Sequence, residues 1–445
     1  MAAGQRAVIR TLYSLVMRCG QPFVRRKLRR RGVAEPGYLQ HVDERFGSYA
    51  NRSDSGRLWI HAVSLGETRA AAILLAELRR RRPQLQILLT HGTATGRAEG
   101  ERLLQPGDVQ AWLPWDTPLA VQRFLQQFRP RAGVLMETEV WPNLAAGCVR
   151  RGVPLVLANA RLSDKSMRHA LRLAPLSRPA YASLSAVWAQ TQDDASRLAR
   201  VGATVQGVFG NLKFDAAPQP SQLAQGRAWR RLAARPVVMF ASSREGEEAE
   251  FFRVLRGNRA LPQAGGAHAS RHAVGGDVQW LVVPRHPQRF DEVAALARQH
   301  GLSVSRRSGW TGGPQPADVW LGDSLGEMAL YYGMADVALL GGSFERLGGQ
   351  NLIEAAASGC PVVMGPHTFN FSDAAQLALD AGAALRVATL GDGIRSAVAL
   401  AADPARQVQV AAACLRFEAA HRGAAQRSAD ALLALLDRSP AAAHG

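Results

Sequence analysis

The run His61-Ala62-Val63-Ser64-Leu65-Gly66-Glu67 sets a carboxylate behind a small-residue turn. The turn lies between a short apolar run, Leu58-Trp59-Ile60, and an apolar-periodic stretch from Ala70 to Leu78. Strand, turn and helix in that order put the turn at the carboxyl edge of a parallel sheet, where ligands bind. There Glu67 could take a proton from a hydroxyl, with Ser64 and Gly66 as possible substrate contacts. A structural reading competes, because an acidic residue in a first helical turn also favours the macrodipole. Met136-Glu137-Thr138-Glu139-Val140-Trp141-Pro142-Asn143 brings two more carboxylates after another apolar run. At alternate positions they can raise each other's pKa or orient a hydroxyl, or merely build a capping turn ahead of Pro142. Arg161 follows a third run, within Asn159 to Ser163. Lys213, within Gly210 to Asp215, could offset negative charge or be an ordinary solvated lysine.

The second half carries a different chemistry. Ser243 lies in Ala241 to Glu248, where hydroxyls and backbone N–H groups entering a helix suit an anion. Arg285-His286 stands between Pro284 and Pro287, a stiff loop suited to a nucleotide phosphate or base. Gly341 to Glu354 is glycine-rich, so backbone can approach a ligand closely, and a helix is expected to open near Asn351. Glu354 in its first turn could accept from ribose hydroxyls or serve as a capping acid. The chain has no lysine-containing phosphate loop and no GxGxxG, which argues against ATPase and dinucleotide chemistry. Its four cysteines are far apart and lack metal-ligand spacing. His268 and His272 fall in the small-residue-rich stretch Asn258 to Asp277, which reads as a surface insertion and a poor metal site.

These loops need a scaffold that lines up strand ends. Leu58 to Ile60, Leu85 to Thr90, Ala132 to Met136, Leu155 to Ala158 and Ala186 to Ala189 read as buried strands, alternating with helical patterns such as Val121 to Phe128 and Leu144 to Arg150. After a polar Pro/Gln stretch, Ala216 to Gln225, read as a linker, the alternation restarts with Val237 to Phe240, Trp280 to Val283, Ala338 to Leu340 and Val362 to Met364. The reading is an α/β chain of two Rossmann-like, doubly wound domains facing a central cleft, the shape of the GT-B glycosyltransferases and also of two fused nucleotide-binding units of other kinds. Gln407 to Leu436 reads as one C-terminal helix. At 445 residues two domains are the default.

The formal net charge of +18 points to an anionic partner: nucleic acid, an anionic membrane or a phosphorylated substrate. GC-rich codon usage, which favours Arg and Ala, is the bland alternative. Between Ala7 and Val24 an apolar stripe is interrupted by Arg10 and Arg18 and followed by Arg25, Arg26, Lys27, Arg29, Arg30 and Arg31. It is too short and too charged for a confident span, and an amphipathic helix lying on anionic lipid fits better than a surface helix or a nucleic-acid arm.

Taken in order, HAVSLGE (His61 to Glu67), METEVWPNL (Met136 to Leu144), NARLS (Asn159 to Ser163), NLKFD (Asn211 to Asp215), PRHPQRF (Pro284 to Phe290), GDSLGEM (Gly322 to Met328), LGGSF (Leu340 to Phe344) and GCPVVMGPHTFNF (Gly359 to Phe371) resemble the 3-deoxy-D-manno-octulosonic acid (Kdo) transferases of lipopolysaccharide synthesis. Each motif alone is weak, but the ordered set runs over nearly the whole chain. The resemblance implies a GT-B fold, CMP-Kdo as donor and a lipid A precursor (lipid IVA) as acceptor, at the cytoplasmic face of the bacterial inner membrane. It implies an inverting reaction with no metal and no other cofactor, and no nucleic-acid partner. By the same resemblance Glu67 is the catalytic base, and Glu137 and Lys213 stabilise the transition state. Arg285, His286, Leu325, Gly326, Glu327, Asn351, Leu352, Ile353 and Glu354 hold the CMP. It divides the chain into an N-terminal membrane-associating helix and basic segment (1–34), an acceptor-binding domain (35–217), a CMP-Kdo-binding domain (218–425) and a C-terminal helix end and tail (426–445). Two departures touch the donor side: Gln350 stands where the family commonly has His, and Arg244 where His is frequent.

Overall fold

The computed structural model describes residues 3–50, 55–259 and 278–438. Two compact units emerge, one from the residues up to Asp215 together with those from Arg422 onward, the other from Ala216 to His421.

The first unit holds seven parallel strands, β1 (Leu58–His61), β2 (Ile87–His91), β3 (Val109–Trp112), β4 (Ala132–Met136), β5 (Leu155–Ala160), β6 (Ala186–Ala189) and β7 (Val205–Val208). Their spatial order is β3-β2-β1-β4-β5-β6-β7. Successive strands run away from β1 on one side and, after a switch, away from it on the other, so the β1/β4 boundary is the point where a doubly wound sheet opens a crevice at its carboxyl edge. Both faces are covered. Trp59, Phe124, Leu135 and Leu157 pack on one side, and Leu58, Ile60, Leu74, Val134 and Trp188 on the other. The helix Leu65–Arg81 buries Ala70, Ala71, Leu74, Leu75 and Leu78, a stripe at three- and four-residue spacing. Each large aliphatic side chain removed from water there contributes ~1.5–3 kcal/mol before entropy is counted.

The second unit repeats the design with β8 (Val237–Ser243), β9 (Gln279–Pro284), β10 (Val304–Arg306), β11 (Val319–Leu321), β12 (Val337–Leu340), β13 (Val362–Met364) and β14 (Ala384–Arg386). Its order, β10-β11-β9-β8-β12-β13-β14, reverses at β8/β12.

Every strand read from the sequence is present, within two residues at each end except β8, which runs three further to Ser243. Five were missed. Four of them (β3, β7, β10 and β14) are the outer strands of the two sheets and the fifth, β11, has only three residues. An outer strand has one paired neighbour and carries polar residues such as Gln110, Gln206 and Ser305, so it lacks the unbroken apolar run that marks a strand buried on both faces.

Other expectations change. The stretch read as a linker is not irregular throughout, because Pro220 opens a helix running to Leu232. The C-terminal helix is two helices, Pro404–His421 and Ala424–Arg438, broken at Arg422-Gly423. That break is where the chain returns to the first unit. Leu432 and Leu436 then join the core beneath Leu74 and Leu78. Thus the segment from Ala424 is an integral part of the first unit, neither a separate tail from 426 nor the end of the second domain. The helix Glu247–Arg259 carries on through the first two residues of the expected insertion, and residues 260–277, His268 and His272 among them, lie outside the described residues.

Two helices, Ala3–Cys19 and Gln21–Ala34, lead into the first unit. The inner side of the first is held by polar contacts: Tyr13 Oη donates to Asp116 at 2.9 Å and Ser14 Oγ to Asn143 Oδ1 at 3.1 Å. Val8, Leu12, Leu15 and Val16 share the opposite side and are more than half exposed. No helix among the described residues is long and apolar enough to cross a membrane.

Candidate active site

The loops singled out in the first half follow the carboxyl ends of β1, β4, β5 and β7, and three of those strands are neighbours across the switch point. Ser64 caps the helix Leu65–Arg81, its Oγ accepting from Glu67 N at 3.3 Å. Glu67 reaches back: Oε2 accepts from Val63 N at 2.8 Å and Oε1 from Ser64 Oγ at 3.0 Å. This is the reciprocal pattern of a capping box, displaced by one residue. The bland reading of Glu67 is therefore correct about its geometry and incomplete about its electrostatics. Burial first, then the negative charges of Glu137 and Glu139, push its carboxyl up to about 7, against the opposing pull of the Val63 and Ser64 hydrogen bonds. A cap selected only for the helix would gain from a fully ionised acid; this one is poised to exchange a proton near neutral pH. Gly66 is exposed, and a Cβ there would meet nothing nearer than Ser64 Oγ at 3.9 Å, so packing within the protein does not demand glycine.

Glu137, directly after β4, lies in the left-handed region, φ 60°, as does Asn159 near the end of β5, φ 51°. Side chains rarely adopt that backbone, and its occurrence on two adjacent strand ends marks positions where the chain is held against its preference. Glu137 N donates to the Ala158 carbonyl at 3.1 Å and Arg161 N to the Glu137 carbonyl at 3.3 Å, tying the two turns together. Asn159 Oδ1 accepts from Leu212 N at 3.0 Å, which fixes the start of the short helix Leu212–Asp215. Lys213 thereby comes to lie with Nζ 4.0 Å from Glu137 Oε1. Asp215 binds the start of the returning helix, accepting from Gly423 N at 2.5 Å and Ala425 N at 2.6 Å. The order within Asn211 to Asp215 thus has a simple logic: an apolar anchor (Leu212), a cation beside a carboxylate (Lys213), and an acid that seats the last helix. Glu139, the second carboxylate of that turn, accepts from Trp141 Nε1 at 2.8 Å, and burial raises its pKa. Arg161 is exposed; only its backbone joins this network among the contacts seen.

In the second unit the singled-out loops follow β8, β9, β11 and β12, which are contiguous in the sheet. Ser243 is buried at the end of β8, and its carbonyl accepts from Arg285 N at 3.0 Å, joining the β8 and β9 loops. Arg285 is exposed, and half-buried His286 is held below its usual range by burial and then by Arg244. The ring is then a neutral hydrogen-bonding group, leaving charge to Arg285. Leu325 is 73 % exposed, Gly326 has φ 77° with open space around it, and Glu327 pairs with Arg307 at 2.8 Å and with Ser324 Oγ. Asn351 Oδ1 accepts from Ile353 N at 3.1 Å, and its Nδ2 donates to Glu354 Oε1 at 3.1 Å. Leu352 and Ile353 are buried. The helix expected near Asn351 is short, Ile353–Ala357, with Glu354 in its first turn.

One residue the sequence did not single out organises this edge. Glu247 is buried, and its carboxylate accepts from Arg244 N at 3.0 Å, Gly342 N at 2.8 Å and Phe344 N at 3.3 Å. It therefore clamps the glycine-rich loop after β12 to the loop after β8. The fit is close: a Cβ on Gly341 would stand 2.2 Å from the Ser242 carbonyl oxygen. Glu247→Ala should strand buried N–H groups and destabilise the second unit by ~2–5 kcal/mol. Calorimetry that found the unfolding midpoint unmoved would refute this clamp. Among the described residues no three His, Cys, Asp or Glu side chains gather so as to hold a metal ion.

Two seven-stranded parallel units of this kind, with loops gathered at the carboxyl edges beside each switch point, define a GT-B glycosyltransferase fold. A UDP-GlcNAc 2-epimerase from Neisseria meningitidis shares it at a TM-score of 0.55, with 14 % identity over 85 % of this chain and all of that one. Residues 40–216 match the family described as 3-deoxy-D-manno-octulosonic-acid transferase (kdotransferase). The 3-deoxy-D-manno-octulosonic acid transferase of Bordetella pertussis is 47 % identical, covering 95 % of this chain and 98 % of its own. That of Haemophilus influenzae is 32 % identical, covering 96 % and 98 %. The chain belongs to the Kdo transferase family and is a glycosyltransferase of lipopolysaccharide biosynthesis.

Proposed function

We propose that the protein transfers Kdo from CMP-Kdo to a lipid A precursor, lipid IVA, with inversion at the anomeric carbon. Glu67 removes the proton of the acceptor hydroxyl as its oxygen bonds to the anomeric carbon; the bond from that carbon to the CMP phosphate breaks, and CMP leaves with the electron pair. The observation that carries the reading is the Glu67 carboxyl, hydrogen-bonded in place at a strand-to-helix turn yet raised to about 7. A base matched to the working pH transfers protons best. Glu137 and Lys213 act on charge developing in the transition state. On the donor side Arg285 supplies a cation for the departing phosphate, His286 a neutral contact, and Asn351 and Glu354 polar groups for the nucleoside. Leu325-Gly326-Glu327 and Leu352-Ile353 complete the CMP site. With cations and backbone N–H groups to receive the leaving group, the reaction in this reading runs without a metal ion or other cofactor.

The same reading places the protein on the cytoplasmic face of the bacterial inner membrane. Support comes from the net charge of +18 and from the outward apolar row Val8, Leu12, Leu15 and Val16, followed by the basic helix. The anionic partner is then lipid and phosphorylated acceptor, and nucleic acid is not required.

Incubation with CMP-Kdo and tetraacyl lipid A precursor, with products resolved by mass, tests the donor and acceptor together. Added Kdo on the lipid is the expected result; CMP release without glycosylated lipid, or no reaction, would overturn the assignment. The dependence of kcat/KM on pH should show a limb near 7 that rises as Glu67 loses its proton, with activity lost on the acid side.

A further inference from the structure

The loop between β3 and the helix Pro118–Phe128 carries an acid that no catalytic step uses. Asp116 is buried, and its carboxylate accepts from three donors: Asn143 N at 3.0 Å, Leu144 N at 2.8 Å and Tyr13 Oη at 2.9 Å. Its backbone carbonyl accepts from Asn143 Nδ2 at 2.7 Å. Burial pushes the carboxyl up, against the pull of those three donors.

Two of those donors open the helix Pro142–Arg150, which follows the turn bearing Glu137 and Glu139. The residue ahead of that helix, Trp141, gives it no side-chain cap. Pro142 has no N–H, and Ala145 N bonds back to the Trp141 carbonyl at 2.9 Å, so the two N–H groups left over both go to Asp116. An acid from a separate loop therefore supplies the cap. It fixes the far end of the turn 137–141, while β4 fixes the near end. After burial, it is the charges of Glu137 and Glu139 that raise the Glu67 carboxyl, so the seat of this turn decides what surrounds the proposed base.

The third donor comes from the start of the chain. Tyr13 lies on the inner side of the helix Ala3–Cys19, and one turn further along the Met17 carbonyl accepts from Trp115 Nε1 at 2.9 Å. Two neighbouring residues of one loop thus grip the same side of this helix, whose opposite side carries the outward apolar row. Ser14 Oγ, 2.7 Å from the Arg10 carbonyl and 3.1 Å from Asn143 Oδ1, adds a weaker tie. Hydrogen bonds therefore run from the helix, through a buried carboxylate, to the turn beside Glu67. A misplacement of about 1 Å at a reacting centre can cost ~10²-fold in rate. We infer that Asp116 is a positioning residue for Glu137 and Glu139, and that Tyr13 couples the helix Ala3–Cys19 to turnover, so that this helix works in the reaction as well as at a lipid surface. This deepens the function proposed above and rests on it.

Tyr13→Phe in the full chain removes one hydroxyl from the half-buried inner side and leaves the outward row untouched. The acceptor is dispersed in neutral detergent, where anchoring to a bilayer plays no part, at a temperature where circular dichroism shows each protein folded. There kcat should fall about tenfold while the KM for CMP-Kdo changes by no more than about twofold. Sedimentation with phosphatidylglycerol vesicles should match the wild type. Asp116→Asn, which keeps one acceptor oxygen of two, should lose ~10²-fold in kcat. The double variant should lose no more than that, because both side chains act through one path. Tyr13→Phe decides the point even where Asp116→Asn is too unstable to assay. A folded Tyr13→Phe protein with wild-type kcat in detergent would overturn the coupling, as would losses that multiply in the double variant. Weakened vesicle binding with turnover spared would make the helix an anchor only. A wild type that transfers no Kdo at all sinks the function itself, which keeps the two failures apart.

Discussion

Replacing Glu67 by glutamine is expected to cut turnover by about 10²–10⁴-fold while making the protein more stable than the wild type above pH 7. The first effect is the loss of a positioned base. The second follows from proton linkage. The carboxyl titrates near 4.5 when unfolded and near 7 when folded, so the native state holds more protons between those values. Native stability therefore declines as pH rises from about 4.5 to 7, and ionised Glu67 costs ~3 kcal/mol above that window. Glutamine keeps an acceptor for Val63 N and carries no charge, so the cost disappears. Below about pH 4.5 wild type and variant should be equally stable. Urea unfolding at pH 5 and pH 8 alongside single-turnover assays would measure both effects. A variant that lost activity but was also destabilised at pH 8 would mean the carboxylate is mainly a structural cap.

Lys213→Met should lower kcat by about 10²–10³-fold, the range for removing one preorganised group from a transition state. Its contact with Glu137 is long, at 4.0 Å, and only partly shielded from water, so it contributes ~1 kcal/mol to the fold and thermal stability should change little. Glu137→Gln in the same background should then cost less than it does alone, because the two groups act on one another. The outcome that contradicts this is a Lys213→Met protein with wild-type kcat and a raised KM for the acceptor, which would make Lys213 a binding group only.

What could be read in the sequence follows physical lines. The central strands β1, β4, β8 and β9 are continuous apolar runs because helices cover both faces, and their loops could be placed on that signal alone. Outer strands such as β7, Val-Gln-Gly-Val, gave no such signal. Glu67, Glu137 and Lys213 were legible because each follows or adjoins a strand end. Glu247 was not, because its value lies in three N–H groups, two of them nearly a hundred residues away. The return of Ala424–Arg438 to the first unit was also invisible locally, since Gly423 and the cap from Asp215 are what break an otherwise continuous helical pattern.

The central claim is that Glu67, raised towards neutrality by its burial and its acidic neighbours, is the group whose ionisation turns on catalysis. The pH profile of kcat/KM for the wild type and for Glu139→Gln, run side by side with CMP-Kdo and lipid IVA, tests it most directly. Glu139 contributes one of the like charges that raise Glu67, so removing it should shift the acid limb to lower pH while leaving the alkaline plateau near the wild-type level. A profile flat through pH 7 in the wild type, or an acid limb that moves to higher pH in Glu139→Gln, would contradict the assignment.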